Sequence, residues 1–162
     1  MRAPISVVIP TLNAGDALGP CLGALVEGLE AGLIREVIIS DGGSSDTTCH
    51  LAQTWGTEIV SGPASRGGQL RRGCAAAQGE WLLVLHADTR LAPGWCDAVE
   101  THLRSWDAAW FQLAFEDGGL AARMVAGWAN RRSRWFGLPF GDQGLLIPRP
   151  IYDEVGGYPD QP

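Results

Sequence analysis

Lysine is absent: the twelve basic residues of this 162-residue chain are all arginine. A Walker-type phosphate loop, a pyridoxal phosphate Schiff base and a lysine-based nucleotidyl-transfer centre each require a lysine, so none can be built here. Acids outnumber bases, and the formal charge of -6 lacks the basic footprint that general nucleic-acid binding needs. Small molecules, with no nucleic acid, are the expected partners. Charged residues make up only 19% of the chain, against 46% hydrophobic residues with seven Trp, a balance that excludes disorder as the main state. No apolar run approaches the roughly 18 residues of a membrane-spanning helix, and no basic, apolar and cleavable leader opens the chain. A soluble, cytoplasmic protein of one domain over 1–162 is therefore expected. The four cysteines, Cys21, Cys49, Cys74 and Cys96, form no CxxC pair and no closely spaced Cys/His set, which excludes a structural zinc site and a thioredoxin-like centre. Buried free thiols are expected instead. No GxGxxG follows the first apolar run and no GxSxG occurs, so dinucleotide dehydrogenases and α/β-hydrolases drop out.

What is present is an alternation of short apolar runs with helical patterns. Ile5–Ile9 is a β-branched run closed by Pro10, suited to a strand buried on both faces. Asp16 is placed to cap a helix in which Ala17, Leu18, Leu22, Leu25, Val26 and Leu29 recur at helical spacing as far as the Gly32 region. Glu36–Ser40 repeats the buried-strand pattern, the loop 41–46 follows, and Thr47–Trp55 reads as a helix capped by Asp46. Glu58–Ser61 is a third strand, Arg66–Ala77 a helix, and Trp81–Leu85 a fourth strand. A helix over Gly94–Arg104, a strand over Ala108–Phe115 and a helix over Leu120–Trp128 are expected beyond. The alternation predicts an α/β three-layer sandwich with a mostly parallel sheet, whose ligands bind at the carboxyl ends of the strands.

Three polar motifs fall at that edge: Thr11 to Asn13, Asp41 to Asp46, and His86 to Thr89. Asp41, ending a strand before two glycines, is suited to accept hydrogen bonds from a base or ribose, whereas a helix cap or turn role is the alternative for Asp46. Asp88 can hold Mg2+ or Mn2+ through oxygen and so neutralise a diphosphate, with a strand-end turn as the alternative. His86 is either a ligand suited to manganese or a packed, hydrogen-bonded imidazole; His50 and His102 lie outside any motif. Arg66-Gly67-Gly68-Gln69 opens a helix with Arg71 and Arg72 one turn on, offering amides and guanidinium to a phosphate or a uracil-like edge.

In their order and spacing, ISVVIPTLNA, ISDGGSSDTT, RGGQLRRGCAAAQGEWLLVLHADT and GDQGLLIPRPIYDEVGGYPD resemble family 2 glycosyltransferases of the GT-A fold. The resemblance is to the bacterial transferase 2 subgroup with His-Ala-Asp-Thr and Gly-Asp-Gln motifs, and it runs from Ile5 to Pro162. It implies inverting transfer of a sugar from a nucleotide-diphosphate donor of UDP or GDP type, with Mg2+ or Mn2+. Pro10, Thr11 and Asn13 match the family's strand-one nucleotide loop, Asp41 the first acid of its Asp-Asp-Gly-Ser motif, and Asp88 the last acid of its Asp-X-Asp motif. Arg66, Gln69 and His86 complete the expected nucleotide-sugar site. Two departures stand out: Gly42 replaces the second acid, and His86 replaces the first acid of the metal motif. The family's general base belongs to a Glu-Asp pair beyond the Gly-Gly-Tyr turn, which this chain does not reach; a truncated domain is therefore expected. Asp142, in Gly141-Asp142-Gln143, is the remaining acidic candidate for the base that an acceptor hydroxyl needs.

Two other readings compete: a catalytically incompetent nucleotide-sugar binding domain, and an α/β S-adenosylmethionine methyltransferase, which also uses an acid at the end of its second strand. Residues 120–149 carry five arginines against one acid, among Trp128, Trp135, Phe136 and Phe140. Such a mixture suits peripheral contact of residues 123–140 with the inner face of an anionic membrane, or a lipid-linked acceptor, and equally a helix burying its rings in the core.

Overall fold

The computed structural model describes residues 3–114, 124, 127, 128, 130, 131 and 143–159. In chain order the elements are β1 (Ile5–Thr11), α1 (Gly15–Glu30), β2 (Ile34–Asp41), α2 (Thr48–Thr54), β3 (Glu58–Ser61), α3 (Arg66–Ala76), β4 (Trp81–Val84), α4 (Trp95–His102), β5 (Ala109–Trp110), β6 (Leu145–Pro148) and α5 (Arg149–Glu154). The sheet runs β3-β2-β1-β4-β6-β5. β1 to β4 are mutually parallel, whereas β6 lies antiparallel to β4 and to β5.

Alternation along the strands sorts the core into two layers. Val7, Ile9 and Leu83 pack with Leu18, Leu22 and Leu25 of α1 and with Trp95 and Val99 of α4. Val8, Leu82 and Val84 point the other way, onto Leu70 and Cys74 of α3 and Tyr152 of α5. A central strand covered on both faces is apolar at most positions, and a buried exception in β1, Ser6, is hydrogen-bonded to Glu36 and to the Gly79 amide. Each fully buried aliphatic side chain contributes about 2 kcal/mol of transfer free energy. The expected three-layer sandwich is the observed one.

Several expected boundaries move. β1 runs through Pro10, which pairs with Ser40, to Thr11. Val8 offers its carbonyl to Leu85 on the β4 side, so Pro10, two residues on, turns its missing donor toward the same side, where pairing with β4 has ended at Val8. The expected strand over Ala108–Phe115 shrinks to Ala109–Trp110. β6 was not anticipated, because its three apolar residues lie in a stretch crowded with Gly and Pro. Its pairing with β4 is sealed by Arg149, whose guanidinium donates to the carbonyls of Gly79 (2.9 Å), Ala77 (2.5 Å) and Cys74 (3.4 Å). Those acceptors include the last carbonyls of α3, so Arg149 is a helix cap and leaves the expected basic surface with one arginine fewer. Cys21, Cys74 and Cys96 are buried free thiols, while Cys49 is only half-buried. Burial pushes the Cys21 thiol up to about 12, helped by the negative charge of Asp88. The expected helix over Leu120–Trp128 falls largely outside the described residues.

Candidate functional site

The strand order reverses direction at β1: the chain moves outward to β2 and β3, then returns to place β4 on the other side. A crevice opens at the carboxyl ends of strands where such a reversal occurs. A cavity of about 610 Å³ lies there, lined by Pro10, Thr11 and Asn13 after β1, Arg66 and Gln69 of α3, and His86 and Asp88 after β4. Seven of the eight residues expected to touch a nucleotide sugar thus share one cavity; Asp41 is not among its lining residues.

Asp41 is 2% exposed and is surrounded by donors from its own neighbourhood. The Ser44 hydroxyl (2.5 Å), the amides of Gly43 and Ser44 (2.8 Å each) and the Thr11 hydroxyl (3.0 Å) all donate to its carboxylate. Burial works to raise its pKa, but these hydrogen bonds, led by Ser44, outweigh it and hold the carboxyl below the ordinary carboxylate value. The group expected to receive a ligand therefore ties the β2 loop to the end of β1.

The lacing continues along both loops. Asn13, in a left-handed conformation with φ of 51°, donates from its amide to the Ser44 hydroxyl and accepts from the Ser45 amide. Short polar residues such as Asn tolerate that conformation. The N-terminus of α1 is capped from the start of α2 beside it: the Ala14 amide donates to the Thr48 hydroxyl and the Gly15 amide to Asp46. Asp16, the expected cap, lies instead in the first turn, where its charge still favours the helix dipole. Asp46 also accepts from the Thr48 amide, so one carboxylate serves the starts of α1 and α2 together. Hydrogen bonds from Thr48 and Gly15 hold its pKa below the ordinary value.

Gln69 is buried at the first turn of α3 and joins three elements. Its Nε2 donates to the carbonyls of Thr11 (2.7 Å) and Ser40 (3.0 Å), and its Oε1 accepts from the Ser65 amide. A Cβ on residue 42 would lie 2.9 Å from that Oε1. The space beside Gly42, where the resembled motif has its second acid, is thus filled by the Gln69 amide. Ser65 caps α3 by accepting from the Gly68 amide, and this fixes the loop that presents Arg66.

The rim is built differently. Arg66 and Asp88 are exposed and His86 is half-buried. Arg66 Nη2 lies 2.5 Å from His86 Nε2. The same Nη2 lies 3.4 Å from Nδ1, and because a guanidinium can only donate, a hydrogen bond here requires an unprotonated imidazole nitrogen as acceptor. The carboxylate and the imidazole stand two residues apart on one short segment, a donor pair of oxygen and nitrogen that suits Mn2+ and, through oxygen alone, Mg2+. Among the described residues no set of three His, Cys, Asp or Glu side chains could enclose a metal ion.

Two residues that sequence reasoning missed as site builders are Gln143 and Asn130. Gln143 is buried, donates from Nε2 to the Phe111 carbonyl and to Asn130 Oδ1, and accepts from the Phe111 amide through its own carbonyl. Asn130 brackets Leu113, accepting from its amide (2.8 Å) and donating to its carbonyl (2.9 Å). The signal was the glutamine of the Gly-Asp-Gln motif, which sequence alone does not connect with residues 111–113. Asp142, the candidate base, lies outside the described residues, as do Arg123, Arg132, Arg134, Trp135, Phe136 and Phe140.

Residues 6–157 match the sequence pattern of Glycosyl transferase family 2. The chain belongs to glycosyl transferase family 2. The PGL/p-HBAD biosynthesis glycosyltransferases of Mycobacterium bovis and Mycobacterium tuberculosis are 33% identical to it over 99 residues, covering 56% of this chain and 38% of theirs. This family 2 chain shares its fold with a mannosyltransferase from Pyrobaculum calidifontis solved with GDP-Man and Mn2+ (TM-score 0.74, 18% identity, 99% of this chain and 48% of that one). It also shares it with glucosyl-3-phosphoglycerate synthase from Mycobacterium tuberculosis solved with Mn2+, UDP and glucosyl-3-phosphoglycerate (TM-score 0.66, 22% identity, 91% and 57%). The GT-A architecture expected from the motifs is therefore the fold. The chain spans 38% of the length of the curated relatives it matches. Family 2 membership decides against the S-adenosylmethionine methyltransferase alternative.

Proposed function

We propose that this chain supplies the donor half of an inverting glycosyltransferase that takes its sugar from a UDP- or GDP-type donor. The observation that carries the reading is the single cavity at the β1/β4 reversal, which gathers Pro10, Thr11, Asn13, Arg66, Gln69, His86 and Asp88. Its braced floor, ending at Thr11 and Asn13, suits a nucleoside, and its rim carries the groups a diphosphate needs. Asp41 acts here as a positioning residue, since its carboxylate orders the loop that presents Asn13. The structural neighbours solved with UDP or GDP-Man support the donor class, and those solved with Mn2+ support a divalent cation.

Asp88 and His86 would hold Mg2+ or Mn2+, which when bound offsets the charge of the departing diphosphate. Two protein donors alone would hold the cation weakly, so it would bind mainly together with the nucleotide. Arg66 moves from His86 onto the diphosphate, gaining an anionic partner. In the transfer, the acceptor hydroxyl oxygen forms a bond to the anomeric carbon from the face opposite the diphosphate. The bond from that carbon to the diphosphate oxygen breaks, and the nucleoside diphosphate leaves with the electron pair. The hydroxyl proton passes to a carboxylate base, for which Asp142 is the candidate.

The same proposal includes a cytoplasmic protein with peripheral membrane contact through residues 123–140 and a lipid-linked acceptor. Trp128 is 61% exposed and Arg131 is exposed, which supports such a contact. No helix among the described residues is long and apolar enough to cross a membrane.

The test is thermal stabilisation by UDP and GDP, each with Mn2+, against S-adenosylmethionine as control. A shift of several degrees with one nucleotide and none with the control is expected. Equal, negligible shifts with both nucleotides at millimolar concentration would remove the reading. Saturable binding without sugar transfer or donor hydrolysis would favour the incompetent binding domain instead.

A further inference from the structure

Asp88 lines a second cavity, of about 560 Å³, in addition to the one already described. Its size falls in the range of ordinary small-molecule sites, and its walls follow their usual pattern of apolar surface with a few polar groups. Leu91, Pro93 and Trp95 form one wall, Phe111 and Leu113 another, and Ala98 of α4 lies between.

Both walls are held firmly. Trp95 is 4% exposed and donates its indole N–H to the Ala24 carbonyl at 3.1 Å. Its ring is seated so closely on Gly28 that a Cβ there would come within 2.6 Å. Trp95 therefore anchors that wall to α1 and adds little surface of its own to the cavity. The opposite wall is an irregular strand, yet Gln143 fixes Phe111 and Asn130 fixes both backbone groups of Leu113. Buried side-chain amides that satisfy a segment's backbone in this way set its position as a sheet partner would. Phe111 also rests against Gly144, where a Cβ would meet its ring at 3.2 Å.

We propose that this second cavity receives the acceptor, and that it selects one whose reacting hydroxyl is carried on an apolar or aromatic body, in preference to a small polyanion. The inference rests on the donor reading in one respect: sharing Asp88 puts the second ligand beside the diphosphate-binding rim. Its chemical class comes from the walls. The half-buried Phe111 ring and Leu113, facing Pro93 and Ala98, suit an apolar group. Among the described lining residues the one cation is Arg90, whereas a compact acid phosphate would call for several cationic groups.

The probes are methyl 4-hydroxybenzoate, a neutral phenol, and 3-phosphoglycerate, each titrated calorimetrically with and without UDP and Mn2+. The variants are Ala98→Phe, which enlarges an exposed lining residue, and Leu113→Asp, which places a charge on the wall. The phenol is expected to bind saturably, and each variant to weaken it at least tenfold while UDP affinity stays within twofold. Saturable phosphoglycerate binding with none of the phenol, or phenol affinity unchanged in both variants, would overturn the proposal. Failure of UDP to bind would strike the donor reading alone. Phenol binding that still responds to Ala98→Phe without UDP would uphold an apolar ligand site.

Discussion

The loops after β1 and β2 and the segment after β4 end at the same edge of the sheet, yet they dispose of their polar groups in opposite ways. In the first pair, Asp41, Asn13, Ser44, Asp46 and Thr48 satisfy one another across about thirty residues of chain. In the second, Asp88 stands exposed, and Arg66 reaches across from α3 to His86. A buried carboxylate with several donors is costly to disturb and poor at exchanging partners, whereas an exposed one gives up only water when a ligand arrives. Motifs that share one sheet edge therefore divide into those that shape a cavity and those left able to bind.

Substitution at Asp41 tests the braced side most severely. Asp41→Ala leaves four donors without their acceptor and is expected to destabilise the fold by about 3 kcal/mol, measured by urea unfolding. A loss below about 0.5 kcal/mol, the usual limit for a surface change, would erase the distinction between the two regions. Gly42→Ala is the next largest. Its Cβ would press on Gln69, and displacing a well-packed, fully bonded amide costs about 2 kcal/mol. Neutral behaviour of that variant would mean that Gln69 has room to move.

Acidification gives a smaller, graded effect with a defined sign. The folded pKa of Asp41 lies below the ordinary 3.8, so its contribution to stability is complete above that value. It is lost as pH falls through the lowered folded pKa. Asp41→Asn should flatten the stability profile in that window and leave it unchanged near neutrality in slope. A wild-type profile with no slope below pH 3.8 would contradict the assignment.

The sheet was legible because its central strands are mostly apolar runs, and residues such as Val7 and Val8 must each find a different layer. β6 was hidden because Leu145, Leu146 and Ile147 are too few to show a period, and antiparallel insertion beside β4 depends on Arg149 reaching back to α3. The site's location was legible, since strand-end motifs in a parallel sheet converge wherever the order reverses. Which members face the cavity was not. Nothing in the sequence shows that Ser44 and Thr11 saturate Asp41, or that Gln69 occupies the space beside Gly42. Those facts belong to hydrogen bonds between distant loops.

The smallest effect on stability belongs to the rim, and there the central claim is most exposed: Asp88 binds the diphosphate end of the donor without supporting the fold. The decisive measurement is calorimetric titration of UDP and of GDP, with Mn2+, into the wild type and Asp88→Asn, alongside their urea unfolding curves. Stability within about 0.5 kcal/mol of wild type, together with nucleotide affinity weakened at least tenfold (about 1.4 kcal/mol), is the predicted result. Undiminished affinity for whichever nucleotide the wild type binds would contradict it.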